Sequence, residues 1–158
     1  MKWINHRIVS GAVVFAITDD LLLAVCAAAG AVVPDKVEGY PMKNYNKWKK
    51  RHRGVSHVPL IYLGGMFLIY ALWEANISPV DISLPAAMGM AFLAGAALHI
   101  FEDALCGKVP IIFPKSRHGI RLFTVGSAGE YVFTATVLIL ILYLKFGDIA
   151  EKLRDVWR

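Results

Sequence analysis

Five histidines and a scattered set of acids define what chemistry this 158-residue chain can perform. His6, His52, His57, His99 and His118 all fall in basic segments or at the ends of apolar runs, and none lies mid-run. Asp35, Glu38, Glu102, Asp103 and Glu130 keep the same company, whereas Asp19, Asp20, Glu74 and Asp81 fall at the opposite ends of the runs. Imidazole and carboxylate together form the donor set of Zn²⁺, Mn²⁺ or Fe²⁺. His99 and Asp103 are four residues apart and share one helical face. Two ionisable groups inside the end of an apolar helix are costly unless paired or functional. The candidate metal ligands are therefore His6, Asp35, His57, His99 and Asp103, holding one or two ions, with zinc the first choice. Each has a plainer reading when taken alone: His6 as an interfacial residue, Asp35 as a turn residue after Pro34, His52 and His57 as part of a lipid-headgroup patch. Only their convergence makes a site. Glu102 and Glu130 read as supporting acids, and Glu130 also opens a helix, where the dipole favours a carboxylate.

Composition sets the medium in which that chemistry takes place. Hydrophobic residues are 57% of the chain, charged residues 18%, and mean hydropathy is +0.53. Soluble averages are roughly 45–50% and about 25%. Disordered, collagenous and coiled-coil classes are excluded, and the default becomes a small polytopic membrane protein of one domain, 1–158. Cys26 and Cys106 both lie in apolar stretches, so a disulfide framework is excluded and buried thiols are expected. The first residues do not read as a cleaved signal, because the apolar run reaches Asp19 and Asp20 without a cleavage site.

The expected fold is all-α. Residues 8–18 and 21–33 are each short of a ~30 Å hydrocarbon core at ~1.5 Å per residue, so they predict a helical hairpin, with Thr18 capping its second helix and Pro34 stopping it. Three membrane helices follow, over 58–73, 84–106 and 130–146, and 147–158 is a charged helical tail. Of seventeen Lys and Arg, thirteen fall in 1–7, 34–57 and 107–129, and alternating helices put all three segments on one side. The positive-inside rule makes that side cytoplasmic, and the hairpin and helices return the five candidate ligands to it. The net charge of +5 is explained by these loops. Without an aromatic-interleaved motif, nucleic acid is disfavoured as a partner.

Asn5-His6-Arg7 with Gly11, Pro34-Asp35, His52-Arg53-Gly54-Val55-Ser56-His57, His99-x-x-x-Asp103, Pro114 and Gly126-Ser127-x-x-Glu130 resemble the YdjM-like (LexA-regulated) family of membrane-bound metal-dependent hydrolases. The resemblance runs over residues 5–130 and is most specific in the His-Arg-Gly-x-Ser-His run and the later His-x-x-x-Asp. Family members often carry Asp-x-Asp after the proline. Here the run is Asp35-Lys36-Val37-Glu38, so either Glu38 supplies the second carboxylate or one metal position is altered. The ligand order is also similar to that of zinc phospholipases C, but His118 and Glu130 lack the spacing of the later ligands of those enzymes.

The resemblance implies a hydrolase of the inner membrane. In that reading Asp35 is a ligand and candidate base, and His52 a ligand or proton donor. Arg53, Lys115, Arg117 and Arg121 hold an anionic substrate, since arginine suits bidentate phosphate contact. A cation-ringed site at a membrane boundary favours a phosphoester of a phospholipid or other amphipathic molecule. The rival reading is a non-enzymatic scaffold that binds anionic lipid through its 43–53 cluster, with Tyr45 and Trp48 at the interface. Both readings leave a homo-oligomer open. A metal transporter is disfavoured, because the spans lack paired polar ligands at mid-membrane.

Overall fold

The structure is a computed structural model that describes residues 1–39, 53–75, 81–112 and 116–156. Helix α1 spans Trp3–Thr18 and α2 Leu21–Gly30. A one-turn α3, Val33–Val37, has Pro34 in its first turn, where a missing N–H costs nothing. A 3₁₀ turn over Val55–His57 leads into α4, Pro59–Glu74, and α5 is Ser83–Cys106. Two residue pairs, β1 (Val109–Pro110) and β2 (Arg117–His118), form an antiparallel ladder. The long α6 runs over Ala128–Val156, so the charged tail continues the last apolar helix without a break as far as Val156.

The hairpin is present, but its cap differs from the expectation. Asp20, not Thr18, caps α2: Leu22 and Leu23 N–H donate to Asp20 Oδ1 at 2.7 and 3.1 Å. Thr18 instead donates to the Val14 carbonyl at 2.8 Å. A carboxylate meets two orphan amides and the positive end of the helix at once, and so outcompetes a neighbouring hydroxyl. The helix α2 also stops at Gly30 rather than at Pro34, and the 107–129 segment holds the small ladder that an all-α expectation omits.

Among the described residues, two helices are long and apolar enough to cross a membrane, Ser83–Cys106 and Ala128–Gly147. The third expected span, now α4, has 16 residues and measures ~24 Å, short of the ~30 Å core. The packing is inverted relative to a soluble protein. The buried apolar residues are mostly alanine and valine, while Ile17, Phe67, Tyr143 and Phe146 are more than 70% exposed. The largest fully buried side chains are polar: His6, His57, His99, Glu102 and Glu130. Cys26 and Cys106 are free thiols, each half-buried.

Helix α5 is the centre, packed against α1, α2 and α4, and α1 also packs on α2 and α6. At the α2–α5 contact the backbones touch. A Cβ on Gly95 would collide with the Ala27 carbonyl and one on Gly30 with that of Phe92. This close approach, of the kind small residues permit between membrane helices, pulls the end of α2 onto α5 and so delivers Asp35 to His99. Gly95→Ala and Gly30→Ala should each destabilise by about 1–3 kcal/mol through overpacking. Gly64→Ala, with nothing within 4 Å of the added carbon, should be neutral. Thermal unfolding in detergent reads the difference.

Candidate metal centre

The donors come from α1, α3, the turn that opens α4, and α5, all at the same end of the bundle. His6 lies in the first turn of α1, Asp35 in α3, His57 in the turn that opens α4, and His99 and Asp103 in the last two turns of α5. His6, His57, His99 and Asp103 are buried and Asp35 is half-buried. His57 Nε2 and His99 Nε2 lie 3.4 and 3.6 Å from Asp35 Oδ1, and 3.7 and 3.9 Å from Asp103 Oδ2. His6 Nε2 is 3.4 Å from Asp103 Oδ1. Two sets of three donors, His6–His99–Asp103 and Asp35–His57–His99, each cluster tightly enough to hold an ion. Donors bound at 2.0–2.2 Å sit roughly 3–3.6 Å apart around an ion, close to the separations seen.

The hydrogen bonding fits the same purpose. No hydrogen bond satisfies His6 Nε2, Asp35 Oδ1 or His99 Nε2, although all are buried. Inward-facing donors without hydrogen bonds are expensive to bury unless a cation meets them. The outward atoms of His6, His57 and Asp35, by contrast, are held, whereas His99 Nδ1 has no hydrogen-bond partner among the described residues. His6 Nδ1 pairs with Glu102 Oε2 at 2.7 Å, and Ser10 donates to Glu102 Oε1 at 3.0 Å. His57 Nδ1 lies 3.2 Å from Glu38 Oε1. Trp3 Nε1 donates to Asp35 Oδ2 at 2.8 Å, leaving Oδ1 to face the histidines. A carboxylate behind a histidine fixes its tautomer and raises its basicity, the usual outer support of a metal ligand. The residues therefore fit a divalent metal ion.

Charge is balanced within the cluster. Burial pushes the Asp35 carboxyl up, but His57, His99 and Trp3 outweigh that and hold it well below the usual carboxylate range. Burial favours neutral His57, yet Asp35 and Glu38 outweigh it and raise its pKa. Asp103 also meets cations: Arg53 Nε lies 2.8 Å from Oδ2 and the Met1 amine 2.6 Å from Oδ1.

The remaining candidates separate by place. Glu38 does not join the donors. It accepts from the Arg53 and Gly54 amides, both at 2.9 Å, and from Ser56 Oγ, which ties α3 to the turn carrying His57. Glu130 accepts from the Lys2 and Gly126 amides at 2.7 and 2.6 Å and from Asn5 Nδ2. It anchors the start of α6 to the start of α1. Arg53, at φ +59°, turns its guanidinium inward, into space that Gly107 leaves open for lack of a side chain. Arg117, His118 and Arg121 are exposed, on β2 and the turn beyond it. His52, Lys115, Pro114 and the 43–52 part of the basic cluster lie outside the described residues. Trp3, Ser10 and Ser56 are additions that the sequence reading missed. Ser10 carried a signal, a hydroxyl four residues after His6 on one helical face.

Glu102→Gln and Glu38→Gln keep the side-chain shape but remove the charge behind His6 and His57. Each should weaken metal affinity by about 10–100-fold, measured by competitive chelator titration, while the exposed substitution Arg117→Ala leaves it unchanged.

No curated protein and no solved structure matches the chain. One family model, described as YdjM inner membrane protein, matches residues 1–155. That match covers nearly the whole described fold, the two apolar helices and the donor cluster together, and on this ground the chain belongs to the YdjM inner membrane protein family.

Proposed function

We propose that this protein is a metal-dependent phosphoester hydrolase whose site lies at the cytoplasmic boundary of the inner membrane. The observation that carries the reading is the convergence of His6 Nε2, Asp35 Oδ1 and His99 Nε2, buried and without hydrogen bonds, with Glu102 behind His6 and Trp3 behind Asp35. His6, His57, His99, Asp35 and Asp103 would hold one divalent ion. Both donor triads contain His99, whose Nε2 faces both Asp35 Oδ1 and Asp103 Oδ2, which favours one shared position over two. Zinc is the first choice for this donor set, then manganese or iron. Such an ion supplies Lewis acidity, polarising a phosphoryl oxygen and making water acidic near neutral pH.

The chain's own residues perform the other tasks. Trp3 and the two histidines aim Asp35 Oδ1 into the site, where that oxygen would serve as a metal donor. Glu102 and Glu38 keep His6 and His57 oriented. The exposed Arg117 and Arg121 provide bidentate donors for an anionic headgroup; Lys115 belongs to the same set by sequence, and His52 is the candidate ligand or proton donor. Helix α4 completes a three-span topology with α5 and α6, its short length met by local thinning of the bilayer. The concentration of Lys and Arg at the site end favours a cytoplasmic orientation.

Detergent-purified protein should carry about one zinc, manganese or iron ion per chain and cleave a nitrophenyl phosphodiester. His99→Ala and Asp103→Asn should lose both the ion and the activity while retaining helix content by circular dichroism. A folded wild type that stays metal-free after reloading would sink the hydrolase and leave a scaffold that binds anionic lipid.

A further inference from the structure

An apolar cavity, open on one side, lies along α1, α2, α4 and α5, farther down these helices than the donor cluster. It has a volume of about 310 Å³ and is lined by Val14, Ile17, Met66, Ala87, Met90 and Ala94. Thr18 also lines it, but its hydroxyl is turned away to the Val14 carbonyl. The wall is therefore apolar, and its two methionines make it adaptable.

Its place in the fold relates it to the site. His6, Ser10, Val14 and Ile17 are spaced four, four and three residues apart and share one face of α1. Val14 lies ~12 Å and Ile17 ~17 Å along α1 from His6, while on α5 Ala94 and Ala87 lie ~8 and ~18 Å from His99. The cavity thus runs inward from the donors at a depth where α5 is apolar and long enough to cross a membrane. On α1, Ser10, which donates to Glu102, lies between His6 and the first cavity residue, Val14. Both α1 and α4 pack on α5, and Val14 and Met66 line the same cavity. The cavity is open at its side, where Ile17 is exposed, so an alkyl chain can enter it laterally.

The volume selects an occupant. An apolar cavity of ~150 Å³ takes one benzene ring, so ~310 Å³ takes about a dozen carbons, which is one alkyl chain and not two. The charge at the site end complements an anionic head, with Lys108, Arg117 and Arg121 exposed there. We infer that the cavity takes a single apolar chain, about a dozen carbons of it, from an anionic phosphoester amphiphile whose head lies at the donor cluster. This rests on the phosphoester reading above and adds to it the shape of the substrate.

The test uses full-length, metal-loaded protein in nanodiscs and a dodecyl phosphate carrying a diazirine near the end of its chain. Crosslinking should saturate and map to cavity residues of α1, α4 and α5. Dodecyl phosphate should compete at least about tenfold better than butyl phosphate, and methyl phosphate should not displace the label. Ala94→Phe should cut labelling about tenfold with bound metal unchanged. Ala87→Leu, at the far end, is the milder variant should the first fail to fold, and it should shift the best competitor from dodecyl to octyl phosphate. Labelling that never saturates, spreads over the outward faces of α4 and α6 and ignores both variants would mean bulk lipid only and would overturn the proposal. Saturable cavity labelling in a protein that cleaves no phosphodiester would leave the chain site standing and remove the hydrolase. Cleavage of a nitrophenyl phosphodiester without saturable labelling would do the reverse.

Discussion

The dominant constraint on this molecule is the cost of burying ionisable side chains at one end of an apolar helix bundle. A charge taken out of water costs several kcal/mol unless it is paired, and here His6, His57, His99, Glu102, Asp103 and Glu130 are all buried. The structure answers by pairing in layers. The outer atoms of His6 and His57 face Glu102 and Glu38, Asp35 is steadied by Trp3, and Asp103 meets Arg53. Among the atoms that remain unmatched, His6 Nε2, Asp35 Oδ1 and His99 Nε2 fall within the donor cluster. The members are interdependent, since removal of one leaves its partners buried without compensation.

The rest of the fold follows from bringing the helix ends to that centre. Helix α2 has only ten residues, and it can return Asp35 to the site only because Gly30 and Gly95 let the α2 and α5 backbones touch. Helix α6 supplies no candidate donor, yet it is fastened to α1 at both ends, by Glu130 near the site and by the Lys145–Asp19 pair, at 2.7 Å, near the hairpin turn. The segment after β2 is strapped to the end of α5, with the Ile120 and Leu122 amides donating to the Ala104 and Leu105 carbonyls at 2.9 and 2.7 Å. Those carbonyls have no partner within the helix, so the same two bonds finish α5 and hold Arg117 and Arg121 near the rim.

The inverted packing explains how so small a core suffices. Alanine and glycine bring the helices close, and the bulky residues face outward, where a bilayer and not water would cover them. Family membership in the inner membrane proteins agrees with that distribution. The polar cluster and the apolar cavity occupy successive depths of the same helices.

Much of this was legible in the residues. His99 and Asp103 had to share a helical face, the hydropathy placed each apolar run, and the alternation of those runs returned His6, Asp35 and His57 to one side. Local periodicity and charge carry that information because they act within a few turns of chain. Tertiary structure alone decided the rest. Whether Glu38 replaces a missing ligand depended on where α3 sits against the Val55–His57 turn, and it supports His57 from behind. Whether Asp20 or Thr18 capped α2 depended on which oxygen reached the amides. That Arg53 turns inward to Asp103, and that Trp3 and Ser10 serve the site, depended on contacts between residues 32 to 92 positions apart. Spacing along a chain fixes which residues share a face; only the packing of one face against another determines which atoms meet.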